Sequence, residues 1–154
     1  MPRHLSALPA LALALSGIAL AGPLKLHVPS PDWRDQVIYF VMTDRFADGD
    51  ARNNDQRAGE FRPGVESHYN GGDLKGLVDR LDYIRGLGAT AVWITPPVAN
   101  QWVDARGSYT GYHGYWAENF MKVDRHLGTL ADYQRLSDAL QRRAQPLARD
   151  RLEQ

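Results

Sequence analysis

Oxygen-bearing side chains crowd one short stretch, "DGDARNND" at residues 48–55, where Asp48, Asp50, Asn53, Asn54 and Asp55 fall within a few positions of one another. Carboxylate and amide oxygens at that density suit a hard cation such as Ca²⁺, which takes roughly six to eight oxygen ligands. The spacing is not that of the calcium-binding EF-hand. Asn53 stands where that loop needs glycine, and Gly59 where it needs its final glutamate. Asp, Asn and Gly are also the ordinary residues of turns, so composition leaves a cation loop and a solvated turn both open.

A second stretch, "SYTGYHGYWAENF" at residues 108–120, alternates aromatic rings with glycines that let the backbone fold tightly. Rings displayed in such a loop suit ligands with apolar C–H faces, sugars among them. The same rings, Tyr109, Tyr112, Tyr115 and Trp116, serve equally well as anchors that pack a loop onto its scaffold. His113 reads as a hydrogen-bonding group. A metal role is poorly supported, since no second His or Cys stands nearby. Three further carboxylates read as structural: Asp44 beside Arg45 at a strand end, and Asp104 and Glu118 as loop residues with no partner acid at a defensible spacing.

The elements that must position these loops follow from apolar periodicity. Residues 36–42, "QVIYFVM", form a β-branched and aromatic run without alternation, as expected of a strand buried on both faces. Residues 73–87 place Leu74, Leu77, Val78, Leu81, Ile84 and Leu87 at helical spacing, with Gly88 where a C-terminal cap belongs. Residues 89–95, "ATAVWIT", make a second strand, stopped by Pro96 and Pro97. Strand, helix and strand make a βαβ unit, which has parallel strands and needs sheet neighbours. Residues 98–128 read as irregular. A second helix then opens at Thr129, with Asp132 three positions on as in a capping box, and an apolar face of Leu130, Tyr133, Leu136 and Leu140. The tail from residue 144 carries Pro146 and scattered charges, with no third strand.

Composition narrows the class. The chain has 154 residues, 18 basic and 18 acidic, and no cysteine. Balanced, dispersed charge gives no basic stripe for nucleic acid or an anionic membrane surface. At the N-terminus, Arg3 precedes an apolar run that ends in Ala19-Leu20-Ala21, the pattern of a secretory signal peptide over residues 1–21. The run is interrupted by Ser6, Pro9, Ser16 and Gly17 and is short for a span of about 20 residues. The expected organisation is a leader at 1–21, a lead-in at 22–35, a partial α/β domain at 36–143 and a divergent tail at 144–154, in a chain that is secreted or periplasmic.

Taken in order, "VIYFVMTDRFADGDARNND", "YNGGDLKGLVDRLDYIRGLGATAVWITPP", "YHGYW" and "GTLADYQRLSDAL" resemble the α-amylase family of glycoside hydrolases over residues 36–143. The resemblance implies an α/β fold, the N-terminal portion of a (β/α)₈ TIM barrel with about two strands and two helices, hence incomplete. It puts the loop leaving the second strand over the active face, at the C-terminal ends of the strands. It gives Tyr115 the role of a platform under the sugar at the cleavage subsite, His113 that of a hydrogen-bonder to the same sugar, and Trp116 that of a backing for the tyrosine. It also implies a structural calcium held by Asp48, Asp50, Asn53, Asn54, the carbonyl of Gly71, and Asp73, with Asp50 where the family often has asparagine.

Retaining glycosidases need a carboxylate nucleophile and a carboxyl acid about 5–5.5 Å apart, and the family carries both after its fourth and fifth strands. No segment here matches those. The expectation is therefore a truncated relative of a starch-acting enzyme that is inactive by itself, with an α-glucan or maltooligosaccharide as its ligand and no nucleic-acid or membrane partner after leader cleavage. Two alternatives remain: a secreted, non-catalytic α-glucan-binding protein, and a fragment of a cyclodextrin-forming transglycosylase.

Overall fold

The computed structural model of this chain describes residues 32–144. The leader at 1–21, most of the lead-in and the tail beyond residue 144 lie outside the described residues.

β1 (Ile38–Val41) and β2 (Ala91–Ile94) pair in parallel, Ile38 opposite Ala91 and Val41 opposite Ile94. This is the expected βαβ unit, with each strand shorter than its apolar run. The connection departs from expectation. In place of one helix over 73–87 there are two, α1 (Leu74–Asp79) and α2 (Leu81–Gly86), because Arg80 leaves helical geometry at φ −108°, ψ 7°. Asp73 caps α1 by accepting from the Gly76 N–H, and Gly88 takes the left-handed φ of 83° that ends the helical stretch.

The stripe of Leu74, Leu77, Leu81 and Ile84 is buried against Val41, Leu127, Leu136 and Ala139. α3 (Leu130–Ala144) supplies the last two. Its start is the reciprocal box read from the sequence: Thr129 N–H donates to Asp132 Oδ2 at 2.8 Å, and Asp132 N–H to Thr129 Oγ1 at 3.3 Å. Its buried face is rotated from the expected one. Leu136 and Ala139 are buried and Leu140 is half-buried, whereas Leu130 and Tyr133 are exposed. The helix rests on α1 over a narrow stripe, which its first turn does not reach.

Two expectations are corrected. β1 is not buried on both faces. Tyr39, Val41, Val92 and Ile94 face the helices, while Ile38, Phe40 and Trp93 are roughly half exposed or more on the opposite face, where Phe40 and Trp93 meet edge to face at 6.1 Å. Nothing among the described residues covers that face. Residues 98–128 are not irregular throughout either. β3 (Val98–Asn100) and β4 (Ala117–Val123) form an antiparallel pair with register shifts on either side of Ala99. No periodicity announced it, because β3 is three residues long and β4 leaves Phe120 and Met121 exposed. Pairing across the intervening loop, not local pattern, specifies these strands.

Candidate functional site

Both singled-out loops leave the C-terminal ends of the parallel strands. The acidic loop is knitted to the segment before α1 through Asp73, which is buried. Its Oδ1 accepts from Gly49 N–H at 3.1 Å and Gly76 N–H at 2.6 Å, and its Oδ2 from Asp50 N–H at 2.8 Å and the Asn53 amide at 3.0 Å. This close approach requires small residues, since a Cβ on Gly76 would overlap the Ala47 carbonyl oxygen. The Asn54 amide donates to Asp48 Oδ2 at 2.6 Å.

The side-chain oxygens of Asn53 and Asn54 are buried without a hydrogen-bond partner. Such atoms cost about 1–3 kcal/mol each when left unpaired, and a bound ion or water is the usual explanation for them. Gly71 lies against Asn54, at a φ of 97°. Asp50 is oriented differently: its carboxylate pairs with Arg52 at 2.6 Å, and those hydrogen bonds hold its carboxyl down to about 2. No three His, Cys, Asp or Glu side chains among the described residues converge as a metal site would require. A cation here would draw on the Asn53 and Asn54 amide oxygens and the Gly71 carbonyl beside the carboxylates of Asp48, Asp50 and Asp73.

The aromatic loop is held by its backbone. Asn100, at the end of β3, donates from its amide to the Gly111 carbonyl, and Thr110 donates from both N–H and hydroxyl to the Ser67 carbonyl at 2.9 and 3.0 Å. Gly114 sits at φ 81°, where a Cβ would run into the Pro96 carbonyl oxygen. Asp104 accepts from Ser108 N–H at 2.8 Å and Tyr109 N–H at 3.1 Å, and these bonds hold its carboxyl below the ordinary value.

On this frame His113, Tyr115 and Trp116 come together. The imidazole lies nearly parallel to the Tyr115 ring at 5.8 Å and perpendicular to Trp116 at 5.0 Å. Tyr115 N–H donates to His113 Nδ1 at 3.0 Å, and burial lowers the histidine's affinity for a proton. The ring is then neutral with its hydrogen on Nε2, a donor suited to a hydroxyl. The two readings of the rings divide residue by residue. Tyr112 is an anchor, half-buried with the Arg45 guanidinium 3.7 Å over its ring. Tyr115 is 60% exposed and displays a free face. Asp44 is structural, paired with Arg45 and accepting from Asn70 N–H at 3.0 Å. Burial pushes its carboxyl up despite those partners.

Sequence reasoning missed a buried cluster that joins the two loops. His126 Nδ1 lies 2.8 Å from Asp124 Oδ1, and its Nε2 lies 3.0 Å from Glu60 Oε1. The ring stacks on Tyr69 at 3.9 Å. Asp124 also accepts from Asn100 N–H at 3.0 Å and Trp102 Nε1 at 3.1 Å, at the stem of the aromatic loop. Glu60 accepts from the N–H groups of Gln56 and Ala58, just past the acidic loop. Burial alone would raise the Glu60 carboxyl, but the bonds from His126 and those N–H groups outweigh it and hold it below the ordinary value. Asp124 and His126 are two positions apart, but Glu60 lies 66 residues from His126, so the cluster carries no local signature.

Comparison with known proteins gives a consistent picture. The description "Alpha amylase, catalytic domain" matches residues 40–150. The cyclomaltodextrin glucanotransferase of Klebsiella oxytoca is 43% identical over 111 residues, covering 71% of this chain and 17% of that protein. The periplasmic alpha-amylase of Escherichia coli K12 is 35% identical over 137 residues, covering 83% of this chain and 20% of that protein. The crystal structure of the alpha-amylase of Geobacillus thermoleovorans, complexed with acarbose, superposes with a TM-score of 0.57 at 40% identity, over 75% of this chain and 22% of that one. The chain thus spans about a fifth of the length of the proteins it matches. No helix among the described residues is long and apolar enough to cross a membrane.

Proposed function

The chain belongs to the α-amylase family of glycoside hydrolases, its matched residues falling in the catalytic domain, and from that premise we propose that it forms the α-glucan-binding edge of an amylase-type site and does not cleave glucan by itself. Its β1, α1, α2 and β2 are part of the family's (β/α)₈ barrel.

The observation that carries the proposal is the displayed face of Tyr115 beside His113, whose Nδ1 accepts from the Tyr115 N–H. A glucosyl ring stacks its C–H face on the tyrosine while His113 Nε2–H donates to a hydroxyl, and Trp116 braces the His113 ring edge-on. Starch and maltooligosaccharides present such rings in series, and the similar Geobacillus enzyme was crystallised with acarbose. Cleavage needs a proton donor poised against a nucleophile. Asp104, the carboxylate nearest in sequence before the rings, is held below its ordinary pKa, so near neutral pH it is ionised and has no proton to donate. The chain is expected to bind maltoheptaose and to release no reducing sugar from soluble starch. Steady release that scales with protein and vanishes in no variant but Asp104→Asn or Glu118→Gln would overturn the non-catalytic part.

The acidic loop is proposed as a structural calcium site. Bound there, a calcium ion would supply charge tying residues 48–54 to the Gly71–Asp73 corner, a restraint a chain without cysteine lacks from disulfides. Asp48, Asn53 and Asn54 would hold it, the two amides through oxygens that otherwise stay unpaired. EDTA is expected to lower the melting temperature of the intact chain, and Asp48→Ala to remove that sensitivity. An EDTA response unchanged in Asp48→Ala would move the metal elsewhere. We further propose export through the leader at 1–21, in keeping with a periplasmic relative.

A further inference from the structure

A second concave site lies apart from the aromatic loop, between the turn after β1 and the outer face of α1 and α2. It is a basin of about 520 Å³ lined by Phe46, Asp79, Arg80 and Tyr83, with Asp48 at one side. Its volume falls within the rough 300–1,000 Å³ of small-molecule sites.

Three features set it apart from an ordinary surface groove. Tyr83 is 57% exposed and lies off the stripe of Leu74, Leu77, Leu81 and Ile84, so the core does not require an aromatic ring there. The helix breaks at Arg80 with neither proline nor glycine at the break, and the basin is lined by residues on both sides of it. Asp79 and Arg80 bring charges of opposite sign to one wall. Asp79 is shared with Lys75 at 3.6 Å across an exposed pair. With Asp79 opposing an anion and Arg80 opposing a cation, the basin favours a neutral ligand that offers both an apolar face and many hydroxyls.

We infer that this basin is a second α-glucan contact, in which a glucosyl ring lies on Tyr83 and its hydroxyls reach Asp79 and Arg80. The inference rests on the glucan reading of the chain but not on Tyr115. A glucan strand held there is tethered outside the aromatic loop, which raises its local concentration at that loop.

The test is an NMR titration of the full chain with maltoheptaose. Two groups of resonances are expected to shift, one around residues 79–83 and one around 113–116. Tyr83→Ala should weaken the first by about tenfold or more and leave the second unchanged. Arg80→Ala, also at an exposed position, should act the same way on a chain whose core is untouched. Saturation at 113–116 with no shift at 79–83, or shifts at 79–83 that survive both substitutions, overturns the second contact and leaves the first reading standing. Shifts at 79–83 alone uphold this site and overturn the aromatic one. No shifts anywhere overturn both.

Discussion

Around Asp73 four N–H groups converge on a single buried carboxylate, and the Asn53 and Asn54 oxygens point inward with no partner. In the aromatic loop the hydrogen bonds run instead through backbone and through residues beneath it, Asn100, Thr110 and Asp104, leaving the Tyr115 ring 60% exposed. Polar side chains in the first loop determine its shape. In the second, a shape fixed by other residues holds a ring out to solvent. The contrast fits a structural cation site beside a recognition surface, and it makes opposite demands on substitution.

The largest expected effect comes from removing the residue that joins the two. His126→Ala leaves the carboxylates of Glu60 and Asp124 buried without the imidazole between them, together with the space beside Tyr69. Each buried acceptor left without its partner costs about 1–3 kcal/mol, and chemical denaturation of the variant should show a loss of that order for the two carboxylates together. A loss under about 1 kcal/mol would mean that each loop is held independently.

A smaller and pH-dependent effect belongs to Glu60. Its folded carboxyl is held below the ordinary 4.5, so its contribution is fully present above that pH and is lost as pH falls through the lower folded value. The intact chain should therefore lose stability as pH falls from about 5 towards 3. Glu60→Gln should begin about 1–2 kcal/mol less stable at neutral pH, having one acceptor oxygen for three donors. Its stability should fall less steeply over the same range. Parallel curves would assign the acid sensitivity to other carboxylates.

How far the sequence could be read follows the same division. The two strand runs, the Thr129 cap and the Gly88 terminus were legible because each rests on residues close in sequence whose chemistry has one local outcome. His113, Tyr115 and Trp116 were visible as a cluster because they are neighbours along the chain. The break at Arg80 was not, since the apolar spacing of Leu77, Leu81 and Ile84 continues through it unchanged. Nor was the β3–β4 pair, whose partners meet only after the backbone loop between them has formed. Glu60, Asp124 and His126 were hidden for a related reason: one strand end, one loop and one helix entrance must be in place before their side chains face each other. Exposure of Ile38, Phe40 and Trp93 also depends on what lies opposite them, which apolar composition does not specify.

The smallest expected effect on stability is the one that separates display from packing most cleanly. Tyr115 makes its ring contact with His113 at 5.8 Å and otherwise faces solvent. Truncating an exposed side chain away from the core changes stability by roughly 0.5 kcal/mol or less, so Tyr115→Ala should melt close to the parent chain. Its affinity for maltoheptaose at the aromatic loop should fall by about tenfold or more, as expected when a stacking face worth about 1.4 kcal/mol is removed. Tyr112→Ala should do the reverse, because its ring supports Arg45, which in turn reaches the His68 and Glu66 carbonyls. That variant should lose about 1–2 kcal/mol of stability. If Tyr115→Ala is the more destabilised of the two and binds normally, the displayed ring is a packing residue after all, and the contrast between the inward and outward loops loses its functional meaning.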